Sequence, residues 1–373
     1  MTINSYLAHN NRMYKLIAAI GLASLSTTAT AATLEEVVVT AQKRSESLQD
    51  VGAAVSAMTS DDLNRLNIKS GRDLFDRLPN ISLQTNASES QAQVSMRGLS
   101  FSTFNLNAVQ PVGLFQDEIN LNSPQASGLF LFDLERIEVV RGPQNTLYGR
   151  NTTGGAVNFI SKRPKVGSGT TGDIAVTYGR FNQLDFDAAV GFDLGDTAAA
   201  RIAVNSRDRD GIFDNKFTGD DDSEQDKKAI RAQLVWEPSD ETEILFNYHW
   251  GQVDADSRRI KTIGLLDPNN IDASTVDFKN GLTGNCPLPG KGDLGSGCVS
   301  ANWAGDQGYA DTDDFDISAD LTSPIDKITD WGSFLNITHD FSSFTLTSIT
   351  GYKENEFRFA HDDDASPFTV YSL

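Results

Sequence analysis

The chain has 373 residues, 22% of them charged, with a formal net charge of −20 and a pI near 4.5. That balance leaves no basic stripe to neutralise phosphates and argues against nucleic acid as a partner. After the first residues no stretch approaches the roughly 18 consecutive apolar residues of a transmembrane helix, so a membrane-spanning form of this chain has to be a β-barrel.

Arg12 and Lys15 precede an apolar run from Leu16 to Leu25, and Ala29-Thr30-Ala31 supplies small residues at cleavage spacing. Residues 1–31 therefore read as a secretory signal peptide. The next segment is Leu34, Glu35, Glu36, Val37, Val38, Val39, Thr40 and Ala41, a β-branched cluster flanked by charge with no partner strand nearby in sequence. An extended, unpaired segment invites strand addition. Taken alone, it reads equally as an ordinary first strand or a disordered tail.

Thr59-Ser60-Asp61-Asp62 is predicted to open a short helix carrying Leu63 and Leu66. Ser70, with Asp73 three residues later, opens a second helix carrying Leu74, Phe75 and Leu78, which Pro79 ends. Strands are predicted at Ile81 to Gln84, Gln93 to Arg97 and Val112 to Ile119. Ile137 to Val140 and Ala156 to Ile160 follow, separated by Gly142-Pro143, Gly149 and Gly154-Gly155, where the backbone must turn tightly or take positive φ. The sum is a mixed α+β domain over 48–165.

From residue 170 the pattern changes to long alternating strands. In QLDFDAAVGFDL the residues Leu184, Phe186, Ala188, Val190, Phe192 and Leu194 face one way and Asp185, Asp187, Gly191 and Asp193 the other. One apolar face and one carboxylate face suit a wall between lipid and water. A soluble β-sandwich has a similar period. Trp236, Tyr248 and Trp250, near predicted strand ends, are candidate interfacial anchors. Residues 251–330 read as a long loop rich in Gly, Asn and Asp, and two further strands follow near Trp331 to His339 and Phe344 to Lys353. Cys286 and Cys298 lie in that loop and are candidates for a small structural disulfide in an oxidising compartment.

The motifs VSMRGL around Arg97-Gly98, PVGLFQDEI, and LFDLERIEVVRGPQNTLYGRNTTGGAVNFI, in that order, closely resemble the plug of TonB-dependent outer-membrane receptors. The resemblance implies an α+β plug domain followed by the first roughly seven antiparallel strands of a transmembrane β-barrel, incomplete against the 22 or so strands of a plugged transporter. It makes 34–41 the TonB box and names three partners: TonB with its inner-membrane energising complex, outer-membrane lipid, and a small-molecule ligand of unknown identity. Family members import ferric siderophores, cobalamin or oligosaccharides, and the plug faces the periplasm. Arg97 and Arg141 would meet acidic residues of the barrel wall, with Asp185 and Asp187 as candidates. Where many members carry Asp-Gly after the third plug strand, this chain has Asp117-Glu118.

Seven strands would leave two sheet edges unpaired in lipid, so the chain reads as a fragment or the product of an interrupted reading frame. The competing readings are a non-transporting relic, a plug-only binding protein, and a catalytic or adhesive barrel. No enzymatic constellation is visible. Gly167 to Gly172 fits G-x-G-x-x-G, but a strand rather than a helix follows it, and the four histidines are isolated, so neither cofactor nor metal is expected.

Overall fold

The computed structural model describes residues 38–360, except 45, 86–91, 101–108, 122–130, 216–217, 258–275, 278–280, 283–315 and 318–324. The signal peptide, residues Leu34, Glu35, Glu36 and Val37, and both cysteines lie outside the described residues.

After the short strands β1 (Val38–Val39) and β2 (Glu46–Ser47), the N-terminal domain comprises β3 (Ala54–Thr59), helices Ser60–Arg65 and Gly71–Phe75, and a hairpin of β4 (Ile81–Thr85) and β5 (Ala92–Met96). It continues with β6 (Val112–Gln116), β7 (Ile119–Asn120), β8 (Leu134–Arg141), a turn of helix at Asn145–Tyr148, and β9 (Gly155–Ser161). Its main sheet has the order β3-β8-β9-β6-β7, with β6 and β9 parallel and the other pairs antiparallel. Both helices start where the sequence places them. Thr59 with Asp62, and Ser70 with Asp73, form reciprocal capping boxes that satisfy amides the helix cannot. The Thr59 amide in turn holds the Asp62 carboxyl below its usual range. Leu63, Leu74, Phe75 and Leu78 pack against Ile137, Val139, Val157 and Phe159 of the sheet, with Val94 and Met96 of the hairpin completing the core.

Two turns show how tightly this core is drawn. Gly155 (φ +148°) has no room for a side chain, since a Cβ there would lie 2.3 Å from Met96 Sδ and 2.4 Å from the Val140 carbonyl. Asp117 and Glu118, the departure from Asp-Gly, both adopt positive φ (48° and 71°) and close the β6–β7 hairpin. This is the primed turn that strand twist favours. Its strain is offset by the buried Asp117 carboxylate, which accepts from the Ser161 amide (2.8 Å) and hydroxyl (2.7 Å).

The rest is one antiparallel sheet of β10 (Thr171–Tyr178), β11 (Leu184–Asp193), β12 (Ala198–Arg209), β15 (Gln225–Ser239), β16 (Thr242–Ala255), β20 (Ile325–Asp340) and β21 (Thr345–Ala360), in that spatial order. The numbers between belong to five short strands, β13 (Phe213–Asn215), β14 (Asp221–Asp222), β17 (Val276–Asp277), β18 (Gly281–Leu282) and β19 (Asp316–Ile317). Connections 179–183, 210–224 and 256–324 fall at one end of the sheet, and turns 194–197, 240–241 and 341–344 at the other.

Register aligns the alternation of neighbouring strands. Val190 opposes Ile202, Ile202 opposes Ala232, Ala232 opposes Tyr248, and Trp250 opposes Trp331. The outer face thereby exposes Ile174, Val176, Val190, Ile202, Leu234, Trp236, Phe246, Leu335 and Tyr352. An apolar patch of this extent is a lipid-type surface rather than a soluble one. β16 runs on to Ala255 and β20 begins at Ile325, so Tyr248 and Trp250 lie well inside their strand, and the long connection is shorter at both ends than 251–330. Beyond Trp250 and Trp331 the outer face turns charged, with Asp254 paired to Lys327.

Candidate coupling segment and inner-wall interface

Val38 is exposed, whereas Val39 and Ala41 are buried at 0% and 1% exposure. Between them, the Thr40 amide donates to Glu138 Oε1 at 2.8 Å, and the Thr40 hydroxyl approaches Oε1 and Oε2 at 3.2 and 3.4 Å. Glu138 comes from β8, on the sheet face opposite Ile137 and Val139. It is fully buried, and Arg136 Nε donates to the same oxygen at 2.8 Å. Three residues further on, Lys43 Nζ lies 3.1 Å from Glu118 Oε2 and 4.5 Å from the centre of the Tyr148 ring. Burial, then the carboxylates Glu138 and Glu118, push the Tyr148 phenol up, so it stays neutral beside them. Residues 39–43 are thus held by one hydrophobic face and two carboxylates.

The most buried contact of the N-terminal domain with the wall is made by two residues just before β8. Phe132 sits on Ala189, Ala203, Ala229 and Ile328 of the wall, and the three alanines leave room for its ring. The guanidinium of Arg231 lies over that ring at 4.7 Å, and its Nη1 donates to the Phe132 carbonyl at 3.0 Å. Asp133, at φ 49°, receives Arg201 bidentately, with Nε to Oδ2 at 2.7 Å and Nη2 to Oδ1 at 2.5 Å. Both side chains of that pair are almost wholly buried. A second contact joins Lys69 Nζ to Asp185 Oδ2 (3.1 Å) and Thr177 Oγ1 (2.7 Å). A third packs Ile119 against Val235, Leu245 and Phe334. Asp185 lies six residues along β11 from Gly191, the residue opposite Arg201, so the two ionic contacts stand roughly 20 Å apart along the strand. Elsewhere on the inner face, buried Asp330 receives Lys353 Nζ (3.1 Å) and Asn355 Nδ2 (3.3 Å), with His249 Nε2 at 3.6 Å. Among the described residues no group of three or more His, Cys, Asp or Glu side chains is placed to hold a metal ion.

The profile of the TonB-dependent receptor plug domain matches residues 47–156. Residues 47–156 are a TonB-dependent receptor plug domain. A ferrichrome outer membrane transporter and phage receptor of Escherichia coli (strain K12) is 26% identical over 226 residues, covering 56% of this chain and 26% of the relative. A vitamin B12 transporter of Vibrio vulnificus (strain YJ016) is 27% identical over 248 residues, covering 63% and 39%. The chain therefore spans well under half the length of these curated relatives. Among solved structures, the ferric yersiniabactin uptake receptor FyuA from Yersinia pestis superposes with a TM-score of 0.62 at 16% identity, over 83% of this chain and 42% of its own. That likeness establishes the architecture, an α+β plug beside the incomplete wall of an antiparallel barrel.

Arg97 and Arg141 do not meet Asp185 and Asp187. Arg141 is spent inside the plug, with Nε donating to the Pro79 carbonyl (3.1 Å) and Nη1 to Ser56 Oγ (2.8 Å). Burial, with Arg97 nearby, lowers its pKa. Arg97 occupies a positive-φ turn position, and its Nη1 lies 3.1 Å from where a Cβ on Gly142 would be. The wall carboxylates are taken by other groups: Asp185 by Lys69 and Arg207, and Asp187 by Arg207 and the Asn205 amide. Among the described residues, plug cations do meet wall carboxylates, but they are Lys69 with Asp185, Lys162 with Asp173 and Arg163 with Glu243, while the most buried pair, Arg201 with Asp133, runs from wall arginine to plug aspartate. Sequence reasoning missed Asp133, Arg201 and Arg231, although the alternation of β12 and β15 does place both arginines on the inner face.

Proposed function

We propose that this chain is the plug and first wall strands of an energy-coupled outer-membrane receptor. Its task is uptake of a scarce small molecule, such as a ferric siderophore, cobalamin or an oligosaccharide, with residues 34–41 as the strand that TonB captures. The observation that carries the reading is the state of residues 38–41: a two-residue strand, Val38–Val39, running into a turn, with one valine exposed and the segment held on the plug by a few separable contacts. A segment of that kind can leave its site without unfolding the domain behind it and can then add to a sheet edge. The apolar outer face of the wall supports a location in the outer membrane, and the contacts between plug and inner wall support a passage that requires rearrangement of the plug. The ferrichrome and vitamin B12 transporters among the relatives support these ligand classes and support transport rather than catalysis.

A Val38→Pro substitution in the full-length receptor tests the coupling role. Proline removes a strand N–H donor, so energised uptake should be abolished while ligand binding at the cell surface is retained. Uptake at the wild-type rate would refute the assignment.

A further inference from the structure

We propose that Glu138 is the positioning residue that keeps the coupling segment docked, and that the segment becomes available for strand addition only when the Thr40–Glu138 contact is broken. This rests on the coupling role proposed for residues 34–41.

Strand addition consumes main-chain donors and acceptors. The Thr40 amide is one such donor, and here it is already given to Glu138. The side chains on either side of it, Val39 and Ala41, are both buried, so residues 39–41 cannot turn a free edge outward while the contact stands. Glu138 suits this task because it is a carboxylate at a fully buried position, where an unpartnered charge is costly. Arg136, two residues back on the same face, aims it through its Nε–H, and the Thr40 amide and hydroxyl complete its set of donors. A carboxylate accepting from a backbone amide makes a bond stronger than a neutral one, yet it is a single point of attachment. The Lys43–Glu118 pair, three residues further along, is partly exposed and contributes less. Apart from the pairing of β1 with β2, the docked state rests on one side chain of β8, while the plug core lies on the opposite face of the same sheet. Losing the contact should free the segment and leave the core intact.

The test uses the full-length chain in outer-membrane preparations, with Ala41→Cys as a reporter and Ala156→Cys, in a separate chain, as a control buried in the plug. Thiol-maleimide labelling of each cysteine is followed by mass spectrometry of its peptide. Glu138→Gln keeps the volume and removes the charge, and should raise the labelling rate at residue 41 about tenfold while residue 156 stays protected. An unchanged rate at residue 41 would overturn the proposal. An equal rise at both positions would also overturn it, by showing that Glu138 only stabilises the plug. Should the Gln variant fail to assemble, Thr40→Pro removes the amide and hydroxyl donors themselves and leaves the plug core untouched, with the same expected result. Uptake by the Val38→Pro receptor is a separate measurement, so the latch and the coupling role can fail independently.

Discussion

Replacing Asp133 by Asn isolates the strongest contact between plug and wall. The Asp133 and Arg201 side chains are 3% and 7% exposed, so the substitution strands a guanidinium in a place water hardly reaches. Removing one member of a buried ion pair costs about 3–5 kcal/mol. Arg201 keeps one other carboxylate, Asp173 at 3.6 Å, but that group is 61% exposed and returns no more than about 1 kcal/mol. The net loss expected is roughly 2–4 kcal/mol. The Asp133 carbonyl still accepts from the Lys162 amide at 3.0 Å, so the backbone there need not move. Hydrogen exchange on the detergent-solubilised full-length protein reads the effect at the Lys162 amide and along β8. If exchange reports local opening, 2–4 kcal/mol corresponds to roughly 30-fold to 1,000-fold faster exchange. The decisive comparison is the double variant Asp133→Asn with Arg201→Gln. With neither charge left stranded, it should be markedly less impaired than the sum of the single variants. Additive effects, with a coupling below about 0.5 kcal/mol, would refute the view that this pair clamps the plug.

Two further outcomes follow from geometry. Gly155→Ala should cost roughly 3 kcal/mol or more, because its Cβ would collide with backbone as well as with Met96 at a φ that alanine avoids, and the plug of the variant should become sensitive to pulse proteolysis. Ile202→Arg puts a charge on the outer face between the Trp236 and Trp250 levels. It should destabilise folding into lipid vesicles by about 2–4 kcal/mol, read as a lower urea midpoint.

What could be read from the chain and what could not divides along physical lines. The capping boxes at Thr59 and Ser70 were legible because both partners lie within four residues of each other. The alternation of β11 was legible because water and lipid impose opposite polarity on its two faces. The same rule hid the outer ends of β16, β20 and β21. There both faces carry polar groups, as in Ile325 to Asp330, so the period survives in the backbone but not in hydropathy. Asp133 and Arg201 are 68 residues apart and Thr40 and Glu138 are 98 apart, and neither pair leaves any local pattern.

Glu138 nonetheless carried a signal. A carboxylate between Ile137 and Val139, in a strand whose neighbours on both sides are buried, has to be either solvated or partnered, and a central strand offers it little water. The question of its partner could have been posed from sequence, although only the fold brings Thr40 to it. β8 consequently begins one residue after the wall clamp at Asp133 and carries the coupling-segment contact four residues into its length. The most buried hold of the barrel wall on this plug and the hold of the plug on its own N-terminal segment thus lie within six residues of each other, at and just before one interior strand of its sheet.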